Sequence, residues 1–145
     1  MIHIRPATEV DFAPLLQVQQ LAFGEYAHVY KVSGWTTETL DSLKEDAKEK
    51  HIFVAEENGK VFGYITTQVD REAGKGRIPN LAVDAAAQGH GLGRKLIEHA
   101  LDYFRAEGLA AAVIETMANN ARGQHLYPSC GFVETCRQIH FAMKL

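Results

Sequence analysis

Three glycines at alternate positions, Gly89, Gly91 and Gly93, lie within the run Gln88-Gly89-His90-Gly91-Leu92-Gly93-Arg94-Lys95. Upstream, Ile78 to Val83 reads as a strand; downstream, Leu92, Leu96, Ile97, Ala100, Leu101 and Phe104 mark the apolar side of a helix from Leu92 to Glu107 that Gly108 stops. Alternate glycines let the backbone turn tightly and bring its N–H groups to a ligand unobstructed. The helix start adds uncommitted amides and the positive end of its dipole. The result is an anion cradle suited to a pyrophosphate, or else a plain strand-to-helix turn. The spacing excludes two other cradles. With Gly91 and Gly93 leading, a dinucleotide fingerprint needs glycine where Leu96 stands, and a P-loop needs Lys-Ser/Thr where Arg94-Lys95 stands.

The chain around this turn alternates strands and helices. Ile2-His3-Ile4 opens as a strand, and Thr8 with Asp11 caps a helix whose stripe is Leu15, Leu16, Val18, Leu21 and Ala22. Gly24 to Trp35 is irregular and rich in rings, and a second helix starts near Thr36 or Thr37. Ile52 to Ala55 and Val61 to Ile65 flank Asn58-Gly59, a two-residue hairpin signal. Pro79, inside the strand before the glycine turn, predicts an edge or a bulge there. Ala112 to Met117 reads as a strand, Ala121 to Leu126 as a short helix, and Phe132 to Leu145 as one or two closing strands. The pattern is that of one mixed α/β domain over residues 1–145. With 15 Lys+Arg against 18 Asp+Glu and no basic block, nucleic acid is not the expected partner. No run has the length of a membrane span and the start lacks a signal-peptide core, so a cytoplasmic protein with reduced Cys130 and Cys136 is expected. The seven histidines show no metal-ligand spacing, so no metal site is expected.

Gln88-x-x-Gly91-x-Gly93 resembles the Q/R-x-x-G-x-G/A element of the GNAT family, the GCN5-related N-acetyltransferases. The likeness covers nearly the whole chain in order. Asn58 to Ile65 resembles the family's second hairpin and Asn80-Leu81-Ala82-Val83 its fourth strand. Ile114-Glu115-Thr116, Asn120 and Leu126-Tyr127-x-x-x-Gly131-Phe132 resemble the fifth strand and the motif after it. The resemblance implies a mostly antiparallel sheet that splays between its fourth and fifth strands, with acetyl-CoA in the gap. Leu81 and Val83 would then offer main-chain groups to the pantetheine, and Asn120 would touch it. The amides of Gln88, Gly89, Gly91, Gly93 and Arg94 would hold the pyrophosphate, with the Arg94 and Lys95 side chains placed to add charge.

Transfer to an amine makes two demands. A lysine-like amine of pKa ~10.4 is neutral in only about one part in 2,500 at pH 7, which costs about 4.6 kcal/mol of nucleophile activation. A base therefore helps, and a weak acid beside the departing thiolate helps the second half of the reaction. The motif assigns the acid to Tyr127, although Pro128 disfavours helical geometry at that residue. For the base, Pro79 occupies the place where many relatives carry a glutamate. Glu115, expected mid-strand and partly desolvated, is the substitute, with Glu25, His28 and Glu72 as fallbacks. The expected function is acetyl-CoA-dependent N-acetyl transfer directly to a primary amine of a small molecule or a peptide. The alternatives are a non-catalytic acyl-CoA-binding sensor or interaction module and, further off, a nucleotide-binding module. Tyr26, His28, Tyr30 and Trp35 are candidate walls of the acceptor pocket, and a homodimer is left open.

Overall fold

The computed structural model describes residues 1–23 and 39–145. Among them, five strands form one sheet in chain order: β1 (His3–Pro6), β2 (His51–Glu57), β3 (Lys60–Asp70), β4 (Lys75–Val83) and β5 (Ala111–Ile114). β1 to β4 pair antiparallel and β5 joins β4 in parallel, as expected for a mixed, mostly antiparallel sheet. Helices α1 (Phe12–Phe23), α2 (Leu40–Glu49), α3 (Leu92–Ala106) and α4 (Ala121–Ser129) flank it.

Alternation along the strands gives the sheet two apolar faces. Phe53, Ala55, Ile65 and Ile78 pack with Leu92, Leu96, Ile97, Ala100 and Phe104 of α3. Ile52, Val54, Val61, Tyr64 and Ala82 pack with Phe12, Leu15 and Val18 of α1 and with Leu43 of α2. Local chemistry sets the connections. Asn58 and Gly59 both have positive φ, 53° and 79°, as a two-residue hairpin loop between β2 and β3 requires. At the β1 end, Arg5 places its guanidinium on both Asp11 oxygens at 2.8 and 3.0 Å and on Glu56 at 3.0 Å, tying β1, the start of α1 and β2 together. Arg5 pulls the buried Asp11 carboxyl below its ordinary range against the opposing effect of burial, and the Thr8 amide adds to the lowering.

β4 is the strand that makes the gap. Its register against β3 shifts between Thr66 and Gln68, so that Ile78 and Pro79 together oppose Thr67. Pro79 therefore marks a bulge in an interior strand. β5 pairs with Lys75 to Ile78 and with nothing beyond, so the sheet opens between β4 and β5 from Pro79 onward. The splay implied by the resemblance is present, and it begins where β4 loses an N–H.

Several boundaries differ from expectation. α2 begins at Leu40, with Thr39 as N-cap accepting from the Ser42 amide at 3.1 Å. β5 stops at Ile114 because its only described partner strand turns away. α4 runs three residues past Leu126, through Pro128, because its end is closed by other bonds: Gly131 N–H donates to the Pro128 carbonyl at 3.0 Å and Phe132 N–H to the Tyr127 carbonyl at 3.1 Å. With Gly131 at φ 101°, this is a Schellman cap. No residue after Gly131 is in a strand, so the closing strands expected over Phe132 to Leu145 are not formed within the chain.

Candidate active site

The glycine turn meets the geometric demand of a cradle. Gly89 and Gly91 have φ of 82° and 77°, and a Cβ on either would meet nothing within 4 Å. The glycines are needed for backbone conformation, and the space beside them is open. Gly91 is the N-cap of α3 and offers no side-chain cap to the helix's first amides, so an anionic ligand fits there. Gly93 serves a different purpose. A Cβ there would stand 3.1 Å from Leu126 Cδ2, so this glycine brings α3 against α4.

Side chains weld the turn to its surroundings. Gln88 donates through Nε2 to the Val83 carbonyl at 3.1 Å, and its Oε1 accepts from Arg122 in the first turn of α4. Arg94 donates to the Ser129 carbonyl at 3.0 Å and to Ser129 Oγ at 2.7 Å. Its guanidinium is thus placed at the end of α4 and not held out towards a phosphate. Lys95 is exposed. Leu81 and Val83 lie on the singly paired stretch of β4, half-buried against the α3 face. Asn120 is the N-cap of α4: Oδ1 accepts from the Gly123 amide at 3.1 Å, and Nδ2 donates to Thr116 Oγ1 at 2.8 Å. Both ends of its amide are already engaged within the chain.

Tyr127 lies inside α4, so Pro128 does not take it out of helical geometry. It occupies the third position from the helix end, and Phe132 follows the capping glycine. Their rings meet edge-on with centroids 6.3 Å apart, the apolar contact that accompanies a Schellman cap. Gly123 gives the tyrosine room, because a Cβ there would stand 3.1 Å from Tyr127 Cε2. Burial pushes the Tyr127 hydroxyl up to about 12, so it stays protonated at neutral pH and able to donate.

Glu115 is placed otherwise than expected. It stands one residue past β5, its side chain is 71% exposed, and it accepts from Arg77 at 2.8 Å. The partial desolvation expected of a mid-strand residue is absent, because the strand ends before reaching it. Glu72 lies in the turn between β3 and β4. Glu25, His28, Tyr26, Tyr30 and Trp35 fall outside the described residues.

Sequence reading missed four contributors. Arg122 and Arg77, the partners of Gln88 and Glu115, carry no local signal. Gln19 does carry one, since it follows Leu15 by four residues on the buried stripe of α1. Its Oε1 and Thr66 Oγ1 are buried with no hydrogen-bond partner among the described residues. Thr66 pairs in register with Asn80, the first residue past Pro79, and lies on the α1 face two residues along from Tyr64.

Comparison with known proteins gives a consistent result. The profile of the acetyltransferase (GNAT) family matches residues 15–132. The [ribosomal protein bS18]-alanine N-acetyltransferase of Escherichia coli (strain K12) is 36% identical over 109 residues, which cover 74% of this chain and 70% of that protein. The crystal structure of the ribosomal-protein-S18-alanine N-acetyltransferase from Escherichia coli superposes with a TM-score of 0.78 at 27% identity, covering 94% of this chain and 80% of that one. The mycothiol acetyltransferase of Streptomyces avermitilis is 32% identical over 124 residues, covering 84% of this chain and 39% of that protein. The fold is shared with a PaiA N-acetyltransferase from Thermoplasma acidophilum in complex with coenzyme A, with a TM-score of 0.75, 16% identity and coverage of 89% of this chain and 87% of that one.

Proposed function

The chain belongs to the acetyltransferase (GNAT) family and is an N-acetyltransferase, and we propose that it moves the acetyl group of acetyl-CoA directly to the amino terminus of a peptide or protein. The observation that carries the reading is the half-paired β4. From Asn80 to Val83 its outer edge faces a gap instead of a strand, and the uncapped start of α3 stands at the end of that gap. A pantetheine arm pairs with such an edge as a strand would, and a pyrophosphate takes the helix amides.

When bound, acetyl-CoA supplies the thioester whose sulfur departs as the amine adds. The chain's own groups do the rest. The amides of Gly89, Gly91, Gly93 and Arg94 hold the anion, Gln88 fixes the turn against Val83, and Leu81 and Val83 offer main-chain groups to the arm. Asn120 acts mainly by starting α4, which carries Tyr127. The Tyr127 hydroxyl donates a proton to the departing sulfur. Glu115, in water and oriented by Arg77, accepts the ammonium proton through solvent. The 36% identical relative, named for the alanine of a ribosomal protein, supports a peptide amino terminus over a free small amine.

The deciding experiment is a panel of amines assayed by release of free CoA. Peptides with small amino-terminal residues should react with higher kcat/KM than polyamines, aminoglycosides or free amino acids. Preference for a small-molecule amine would overturn the acceptor class. Acetyl-CoA binding without turnover on any amine would favour the sensor reading instead.

A further inference from the structure

Gln88 stands before the glycines of the turn and Arg94 after them, and their side chains reach opposite ends of α4. Gln88 Oε1 accepts from Arg122 in the first turn of that helix, and Arg94 donates to Ser129, its last residue. The helix has little burial to hold it. Gly123 is its one buried residue, and Leu126 and Tyr127 are only half-buried against the α3 face. A helix this short and this shallow opens locally unless its ends are tied.

Arg94 makes the tie nearer to Tyr127. Its Nη1 donates to the Ser129 carbonyl at 3.0 Å and its Nη2 to Ser129 Oγ at 2.7 Å, and Oγ donates onward to the Leu126 carbonyl at 2.5 Å. The fork thus grips both the end of the helix and the turn that contains Tyr127. A planar guanidinium can hold two acceptors at once, whereas an ammonium acts as a single point of charge. The placing of the charge agrees. Arg94 belongs to the first turn of α3, where the helix dipole disfavours a cation, and its side chain carries the charge to the C-terminal end of α4, where a cation is favoured.

We propose that Arg94 is a positioning residue that couples the cradle to the acid. Its amide takes part in holding the anion while its side chain seats the last turn of α4, so filling the cradle fixes the Tyr127 hydroxyl. The coupling is reciprocal, since whatever orders one site favours the other. The acid is then held in place when the thioester that needs its proton is bound, and α4 is looser when the cradle is empty. The inference rests on the acetyl-transfer reading for the identity of the anion and of the acid; the tie between α3 and α4 stands without it.

The test uses the whole chain with coenzyme A as the probe and follows exchange of the Cys130 and Phe132 amides, which close α4 on the Leu126 and Tyr127 carbonyls. Saturating coenzyme A should slow both about fivefold or more in the parent and leave them unchanged in Arg94→Leu, with the Glu107 amide at the far end of α3 as an unaffected control. In turnover, Arg94→Leu should lower kcat about 10–100-fold with little change in KM for acetyl-CoA, because the amide stays. Arg94→Lys should recover only part of the loss, and Ser129→Ala, which keeps the carbonyl and disturbs the fold least, should lose least. In a Tyr127→Phe background, Arg94→Leu should cost nothing further. Equal slowing by coenzyme A in parent and Arg94→Leu overturns the proposal, and so do losses that multiply in the double variant. If calorimetry shows no coenzyme A bound, or Tyr127→Phe turns over like the parent, it is the acetyl-transfer reading that falls. The seat of α4 is then judged in the free protein, where Arg94→Leu should speed exchange at Cys130 and Phe132, and unchanged exchange overturns it.

Discussion

The two halves of β4 differ in one respect that organises the molecule. Lys75 to Ile78 have neighbours on both sides, β3 and β5, while among the described residues Asn80 to Val83 have β3 alone. The first half is ordinary interior sheet. The second has main-chain groups facing a gap, and the glycine turn, Gln88 and α4 gather around it. The first half reads Lys-Gly-Arg-Ile and the second Asn-Leu-Ala-Val, and Pro79 with its bulge separates them. A binding cleft can therefore be made in a continuous strand by withdrawing one neighbour at one residue.

If the open half is the reacting half, Tyr127→Phe should give the largest loss, lowering kcat about 10²–10⁴-fold while acetyl-CoA binding changes little, as measured by CoA release and calorimetry. The parent kcat/KM should rise with pH as the amine deprotonates and show no descending limb below about pH 10, because the Tyr127 hydroxyl is pushed up to about 12. A loss under tenfold would break the assignment.

At the closed β1 end the expectation reverses, with a cost in stability and none in turnover. Asp11→Asn removes one of the two carboxylate partners of Arg5 and should lower urea stability by about 2–3 kcal/mol with kcat unchanged. Because Arg5 holds Asp11 below its unfolded value, this contribution is complete above about pH 4–5 and is lost as pH falls towards the folded value. The stability difference between parent and Asp11→Asn should therefore narrow in acid.

Gly91→Ala places a side chain at φ 77° and should cost about 1–2 kcal/mol, read as a lower Tm together with weaker acetyl-CoA binding. Pro79→Val tests the comparison itself. Restoring an N–H should let β5 pair further along β4, adding up to about 1 kcal/mol while activity falls and amide exchange slows beyond Ile78. Unchanged protection there would show that the bulge, not the missing donor, keeps the gap. Smallest is Thr66→Val. Removing a buried hydroxyl with no partner among the described residues should leave Tm equal or slightly higher and both KM values unchanged.

The legible parts of the sequence were those set by local chemistry. Asn58-Gly59, the glycine cradle and Gly108 specify backbone angles on the spot, and Pro79 announced its bulge. The misread parts needed a partner from elsewhere. β5 was expected to reach Met117, but a strand extends only as far as its neighbour does, and that neighbour departs at Pro79. Pro128 looked like a terminator because the bonds that close α4 come from Gly131 and Phe132. The tail has the right alternation for a strand, yet no residue from Phe132 to Leu145 is in one. Asn120 shows a signal read for one purpose only: asparagine before a helix is also a capping signal, and here Oδ1 accepts from the Gly123 amide while Nδ2 donates to Thr116.

Gly131, at φ 101°, has a consequence for how this protein could change. It ends the helix that carries the Tyr127 hydroxyl and is also where the chain departs towards the tail. The seat of Tyr127 and the path of the last residues share a joint. A substitution there would disturb the placing of the Tyr127 hydroxyl and the direction of the last residues at once, so the two would drift together.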